Sequence, residues 1–266
     1  MEYISVIIYG IVQGITEFLP ISSSGHLVIM HQFLPLDFIN EISFDVFLHF
    51  ASLLAVIYFF KTDLFRIIIA WLKSLSGKKS DDARLANYLI VATIPAAFFG
   101  YFFADFIENK LRSLVILVVM LVLIALLFIF VEKRGKFNRE SRDLSLGDAF
   151  FIGLAQVLAL IPGTSRSGIT IIAGMSRALK REEALRFSFL MSIPIIFGAF
   201  LTKASDIGHN FNSSSILLLI LAFLSTFFTA FFTIKFFMNF AKKHSLLPFA
   251  YYRIILAFIL LLYLWF

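Results

Sequence analysis

A chain of 266 residues that is 60% hydrophobic and 15% charged lies outside the balance of soluble globular domains, and its mean hydropathy of +0.93 fits a multispanning membrane protein. The formal charge of +6 does not speak for nucleic acid, because the lysines and arginines sit in short connections between apolar stretches, where a cytoplasmic location accounts for them. The absence of cysteine excludes disulfides and thiolate chemistry.

In chain order, the opening "MEYISVIIYG" begins acidic, at Glu2, and lacks the basic region and cleavage site of a secretory signal, so it is expected to stay on the protein. Residues 18–30, "FLPISSSGHLVIM", follow, with three serines, a glycine and a histidine interrupting an otherwise apolar segment. Six later stretches approach the roughly 20 residues that a helix needs to cross a hydrocarbon core of about 30 Å. They are 44–60, 85–104, 114–130, 184–201, 215–237 and 249–266. The 35 phenylalanines are expected mostly to face lipid or to fill packing. Asp45 and His49, one helical turn apart in the first span, read either as a pathway or as a buried pair. Arg177, Lys180, Arg181, Glu182, Glu183 and Arg186 read as an interfacial cytoplasmic run, with Arg186 the residue expected to reach inward.

The segment "GIVQGITEFLPISSSG" (10–25) aligns without a gap to "GLAQVLALIPGTSRSG" (153–168). Gly10 matches Gly153, Gln13 matches Gln156, Ser22 matches Ser165, Ser24 matches Ser167 and Gly25 matches Gly168; only the proline slips, by one residue. Each copy opens a half of the chain that continues with three spans. A duplication is therefore expected, with halves 1–135 and 145–266 in a single membrane domain over 1–266.

Cytoplasmic loops collect Lys and Arg. Lys61, Arg66, Lys73, Lys78, Lys79 and Arg84 follow the first span, and Lys133, Arg134, Lys136, Arg139 and Arg142 follow the third. The connection around Asp206 to Ser213 has neither residue type, and that around Asp105 to Arg112 mixes signs. Threading the spans through these constraints puts both termini outside and makes the two motif segments enter from opposite faces. Each must return to the face it came from, bent at 20–25 or at 162–168, where non-helical backbone requires protein or a wet cavity around it. The expected architecture is an all-α integral membrane protein of six transmembrane helices plus two re-entrant helical hairpins, an inverted-topology internal repeat whose tips meet near the midplane.

After each break a helix restarts, at about Gly25 and Gly168, and the free amides of its first turn carry partial positive charge toward the tip. Ser22, Ser23, Ser24, Thr164, Ser165, Ser167 and Arg166 add donors there. One serine is enough to cap a helix. This many donors, with an arginine that is costly in a membrane unless an anion partners it, describe an anion site suited to phosphate. Gln13 and Glu17 stand at i and i+4, which turns Glu17 toward the tip. A buried carboxylate beside a phosphate repels it unless a metal or a proton separates them, which argues for chemistry rather than simple binding. His26, just past the break, can act as a general acid or base near neutral pH.

These stretches resemble the undecaprenyl pyrophosphate phosphatases of the bacitracin-resistance type, membrane enzymes that recycle the lipid carrier of bacterial cell-wall synthesis. "QGITEFLPISSSGHL" is similar to the family's Glu-rich first motif and "PGTSRSG" to its second, and "FDVFLHFASLLAV", "RFSFLMSIP" and "PFAYYR" carry the resemblance from end to end. It implies hydrolysis of undecaprenyl pyrophosphate to undecaprenyl phosphate and inorganic phosphate in the bacterial inner membrane. It also implies an active site of Glu17, Ser23, His26 and Arg166 near the midplane, open to the outer face. Gln13, Ser22, Ser24, Gly25, Thr164, Ser165 and Ser167 would line it. Ser23 is the expected nucleophile, with His26 or Glu17 taking its proton and a water as the alternative attacking group, while Arg166 and the helix-start amides stabilise charge on the equatorial oxygens. A divalent cation, Mg2+ or Ca2+, would neutralise the diphosphate and bridge it to Glu17. The family's first motif often has a glutamate where this chain has Gln13, so a scheme in which two carboxylates hold the metal does not carry over directly. The implied partners are the polyprenyl pyrophosphate, membrane lipids and a second copy of the chain in a homodimer, with no nucleic acid. The competing reading is a transporter or flippase for a lipid phosphate or small anion, because inverted repeats with broken helices say nothing by themselves about bond cleavage.

Overall fold

The computed structural model describes residues 2–36, 38–111, 113–209 and 216–265. These residues form α1 (Glu2–Thr16), α2 (Ser23–Phe33), α3 (Glu41–Phe59), α4 (Lys61–Ser74), α5 (Asp81–Phe102), α6 (Ala104–Lys110), α7 (Leu114–Arg134), α8 (Leu146–Val157), α9 (Arg166–Ser176), α10 (Arg181–His209), α11 (Ile216–Lys243) and α12 (Leu247–Trp265). Among the described residues, β structure is limited to an isolated bridge between Arg139 and Leu179. By length and composition, α3, α5, α7, α10, α11 and α12 can cross a membrane, and each overlaps one of the six stretches read from the sequence, of which residues 215 and 266 lie outside the described residues.

Short polar caps set where several of these helices begin. Asn40 Oδ1 accepts the amides of Ile42 and Ser43 at 3.0 and 3.3 Å, Ser80 Oγ accepts that of Ala83 at 3.2 Å, and Ser113 Oγ accepts that of Ile116 at 3.2 Å. Phe98, Leu123, Phe228, Phe232 and Ile255 are exposed on the outer faces, whereas Phe44, Phe128, Phe189 and Phe237 are wholly buried. The phenylalanines thus divide between a lipid-compatible surface and the core, as composition suggests.

The two motif segments are shorter. α1, α2, α8 and α9 have 15, 11, 12 and 11 residues. At 1.5 Å per residue they extend about 16 to 22 Å, short of a core of about 30 Å. α1 lies against α11, where a methyl group at Gly10 or Gly14 would overlap the backbone of Ala222, Thr226 and Ala230. α8 meets α5 in the same way, through Gly153 against Ala92. Glycine lets the helices approach backbone to backbone, the usual means of close packing where hydrocarbon solvent offers no hydrophobic drive.

The charged run after the first span is more than a connection. Leu64, Ile67, Ile68 and Trp71 recur at helical spacing, which makes α4 a helix that docks on α5. Arg186, expected to reach inward, instead donates to Asp63 of α4 at 2.9 Å. The rest of its run is also paired: Arg177 with Asp148 at 2.8 Å, Lys180 with Glu140 at 2.7 Å, and Arg181 with Glu132 at 2.7 Å. The connection around Asp206 to Ser213 lies partly outside the described residues, as does Arg112.

Candidate active site

α1 ends at Thr16, and the amide of Glu17 still closes onto the Gln13 carbonyl at 2.9 Å. The chain then turns through Pro20 to Ser22, whose φ of 74° is uncommon for a residue with a Cβ. Ser22 Oγ accepts the amide of Gly25 at 3.3 Å and so caps α2. The second tip repeats the device. A 3-10 turn at Leu158–Leu160 leads through Gly163 (φ 91°) to Ser165 (φ 70°), whose Oγ accepts the amide of Gly168 at 3.1 Å. The helices restart at Ser23 and Arg166, two residues ahead of the expected Gly25 and Gly168, because the serines themselves take the cap position.

The tips are in contact. Ser167 Oγ lies 3.3 Å from the carbonyls of both Glu17 and Leu19, as donor to first-tip backbone. Arg253 of α12, wholly buried, donates to the carbonyls of Pro20 at 3.2 Å and Gly163 at 2.8 Å, one from each tip, and to those of Met120 and Leu121 at 3.2 Å each. A guanidinium with five fixed donors satisfies several loop carbonyls at once and holds the two turns together.

Between the tips, four side chains converge on one carboxylate. Glu17, 6% exposed, accepts Arg166 Nη2 on Oε1 at 2.8 Å. Its Oε2 accepts Ser23 Oγ at 2.8 Å and Gln13 Nε2 at 3.1 Å, and lies 2.9 Å from His49 Nδ1. Gln13 Nε2 is also 2.8 Å from that histidine nitrogen. Thr170 Oγ1 and Ser188 Oγ bond at 2.7 Å, and the Ser188 carbonyl accepts Arg166 Nη1 at 3.4 Å. Beside this cluster is a cavity of about 240 Å³, lined by Glu17, His49, Gln156 and Arg166 and by apolar side chains such as Val46, Leu160 and Ile196. The arrangement aims the Ser23 proton at a carboxylate and sets a guanidinium next to the same cavity. Glu17, which accepts the Ser23 hydroxyl, and Arg166 thus both face the cavity.

His26 is not brought to this cluster. Its Nδ1 lies 2.7 Å from the Ser22 carbonyl, its Nε2 lies 2.7 Å from Tyr252 Oη, and its ring stacks on Tyr252 with centroids 5.8 Å apart. Both nitrogens are thereby engaged, one with the backbone of the first tip and the other with α12. Asp45 and His49 take different partners: Asp45 bonds His31 Nε2 at 2.9 Å, while His49 serves Glu17. Ser22, Thr164, Ser165 and Ser167 are buried. Ser24 stands 3.4 Å from the Ser22 hydroxyl, and Ser167 stands 3.2 Å from that of Ser165. Thr164 Oγ1 has no hydrogen-bond partner among the described residues.

Three residues at the site carried little or no weight in the sequence. His49 and Arg253 fall in the stretches "FDVFLHFASLLAV" and "PFAYYR", and Gln156 was visible only as the counterpart of Gln13. For a metal, no three His, Asp or Glu side chains gather among the described residues. The oxygens on offer include those of Glu17 and the buried Oε1 atoms of Gln13 and Gln156, neither of which has a hydrogen-bond partner among the described residues. Mg2+ is commonly held by one or two carboxylates together with substrate phosphates, so this donor set fits an ion shared with a diphosphate rather than a cage made by the protein alone.

A sequence profile described as bacitracin resistance protein BacA matches residues 6–259, a range that includes both tips, α3 and Arg253. The chain belongs to the BacA family. BacA-family relatives named undecaprenyl-diphosphatase include that of Rubrobacter xylanophilus, 42% identical over 262 residues that cover 97% of this chain and 96% of the relative. That of Teredinibacter turnerae is 40% identical over 261 residues, 98% of each chain, and that of Alteromonas mediterranea is 40% identical over 266 residues, again 98% of each.

Proposed function

We propose that this chain hydrolyses undecaprenyl diphosphate to undecaprenyl phosphate and inorganic phosphate, with Ser23 as the nucleophile. The observation that carries the reading is the Ser23 hydroxyl donated to Glu17 Oε2 at 2.8 Å while Arg166 holds Oε1 at 2.8 Å. It occurs in a chain 40–42% identical to proteins named undecaprenyl-diphosphatase.

In this reading Ser23 Oγ bonds to the terminal phosphorus as the bridging P–O bond breaks. The serine proton passes to Glu17, and the lipid phosphate departs. Water then attacks the phosphoserine, inorganic phosphate leaves, and Ser23 regains a proton. An entering phosphate competes with Glu17 for Arg166, whose planar fork can grip two phosphate oxygens. The carboxylate it releases is a stronger base at the moment one is needed. Gln13 and His49 keep Oε2 turned toward Ser23 meanwhile. His26, bonded to the Ser22 carbonyl, steadies the turn rather than taking the Ser23 proton. A divalent cation held by Glu17 and Gln13 Oε1 together with the substrate would neutralise diphosphate charge.

The same reading makes α1–α2 and α8–α9 re-entrant hairpins that enter from opposite faces of the bacterial cytoplasmic membrane. The halves 1–135 and 145–266 are then inverted, the termini lie outside, and the site opens outward. The shortness of the four helices and the basic loops support it. An impermeant thiol reagent should leave Ser76→Cys unlabelled in intact cells, and labelling there would reverse the topology.

The function is tested by incubating detergent-purified protein with a long-chain prenyl diphosphate. Inorganic phosphate should appear at a rate that Glu17→Gln and Arg166→Ala each lower by at least about a hundredfold, the scale of a lost acid–base or charge-stabilising group. Tight binding without release would identify a carrier instead.

A further inference from the structure

Gln156 is an anomaly within the site. It is 1% exposed, it lines the cavity that holds Glu17 and Arg166, and neither its Nε2 nor its Oε1 meets a hydrogen-bond partner among the described residues. Buried side-chain amides are nearly always bonded, and leaving one unsatisfied is costly. Its counterpart Gln13 is differently placed, with Nε2 bonded to Glu17 at 3.1 Å and lying 2.8 Å from His49. The first glutamine orients the carboxylate, and the second is left free to face the cavity.

A diphosphate brings two phosphates into that space. The terminal one belongs beside Arg166 and Glu17, the carboxylate that accepts the Ser23 hydroxyl. Away from the Glu17 cluster the lining is Val46, Ala96, Ala159, Ile195 and Ile196 except for Gln156, so a second phosphate there meets either hydrocarbon or this amide. The volume of about 240 Å³ equals roughly eight times the about 30 Å³ that a water takes up in the liquid, enough for both groups.

Resting on the functional reading above, we propose that Gln156 Nε2 binds the lipid-side phosphate of the substrate and makes the site select diphosphates over monophosphates. The choice of a neutral amide is physically apt. An arginine there would also grip the lipid monophosphate product after cleavage, whereas a neutral donor holds the leaving group in place and still lets it go.

The experiment compares wild type with Gln156→Leu, which removes the donor at similar size, and with Gln156→Met, unbranched like glutamine. Hydrolysis kinetics and calorimetric binding of two probes, methylenediphosphonate and inorganic phosphate, are measured for each. The expected result is a loss of about ten- to a hundredfold in both kcat/KM and methylenediphosphonate affinity, the scale of one hydrogen bond to a charged acceptor. Phosphate affinity should stay within about twofold, and melting temperature should be unchanged or raised. Equal losses for both probes, or none for either, would overturn the proposal. So would a lowered melting temperature in both variants with an unchanged probe ratio, which would identify an amide bonded to buried water. Should the leucine variant not fold, the methionine variant carries the comparison. Failure of the functional reading is separate: wild type would release no phosphate, while the binding ratio would still report on Gln156.

Discussion

At each tip a serine in the left-handed region, Ser22 at φ 74° and Ser165 at φ 70°, caps the next helix through the amide of a glycine three residues on. Beyond that common turn the side chains diverge. Aligned positions 23 and 166 carry serine and arginine, and positions 17 and 160 carry glutamate and leucine. Positions 13 and 156 are both glutamine, one bonded to Glu17 and the other to no described group. What the two tips share is a backbone device that breaks a helix and presents the start of another. On the proposed reading the chemistry is divided between the tips: the nucleophile Ser23 and the carboxylate from the first, the cation from the second, joined by the 2.8 Å contact of Glu17 with Arg166.

The largest break in that division should come from Ser23→Ala. Losing one hydrogen bond to a charged group costs roughly 1.5–3 kcal/mol, a factor of about ten to a few hundred, whereas losing the nucleophile costs more. A drop of at least about a thousandfold is expected, together with a phosphoserine in the wild type trappable by rapid acid quench with labelled substrate. Activity within about a hundredfold of wild type, with no trapped phosphoenzyme, would give the attack to a water.

Arg253→Lys should be next, and it strikes both tips at once. An ammonium cannot reach four carbonyls on separate segments, so at least two hydrogen bonds to a charged group are lost, about 3–5 kcal/mol of stability. Thermal unfolding in detergent checks it, and a melting temperature equal to wild type would mean that the tips are held by other means. Arg166→Lys follows, acting on the Glu17 contact that joins the tips. It keeps the charge but loses the fork that can serve Glu17 and phosphate in turn, and a fall of about a hundredfold in kcat/KM is expected with stability little changed. Near-normal turnover would reduce Arg166 to a point charge.

The spans were legible because about 20 consecutive apolar residues have few other uses. Both breaks were legible because serine and glycine clusters contradict the surrounding composition. The convergence on Glu17 was only half legible. Gln13 and Glu17 lie four residues apart and their contact is a matter of helical spacing, but His49 reaches the same oxygen from another helix, and local pattern cannot announce a tertiary contact. His26 is the reverse case. Proximity in sequence to Ser23 suggested a shared site, yet the helical turn between them carries the ring toward Tyr252.

The roots of the two tips also differ, with a smaller expected effect. α1 is held by glycine contacts with α11, which do not titrate, whereas the first turn of α8 carries Asp148, which pairs with Arg139 at 3.0 Å and Arg177 at 2.8 Å. Burial alone would raise the Asp148 pKa, but hydrogen bonds from Ser145 and Arg139 bring it down from 3.8 to about 2. The folded carboxyl therefore binds its proton less readily than the unfolded one. Its contribution, on the order of 2 kcal/mol, is present above about pH 4 and lost as pH falls toward 2. Asp148→Asn should flatten that part of the stability–pH curve, and an unchanged slope would remove Asp148 from the anchor.

The smallest effects test whether the shared turn is shared in energy as well. Replacing a cap serine by alanine removes the acceptor for a helix amide and costs about 0.5–2 kcal/mol, while glycine costs only a few tenths. Here glycine has a further advantage, because Ser22 and Ser165 both hold a Cβ in the left-handed region, which glycine enters without penalty. Ser22→Gly and Ser165→Gly should therefore match wild type in melting temperature to within the equivalent of about 0.5 kcal/mol, and should match each other. Both alanine variants should fall below their glycine partners. A tip whose glycine variant is distinctly less stable would be using its serine for more than the cap. Turnover sharpens the same comparison: since Ser22 adjoins Ser23, the proposed nucleophile, and Ser165 adjoins Arg166, a Ser22→Gly variant of unchanged stability but lowered activity would show its hydroxyl reaching substrate, and equal activity would confine both serines to holding the turn.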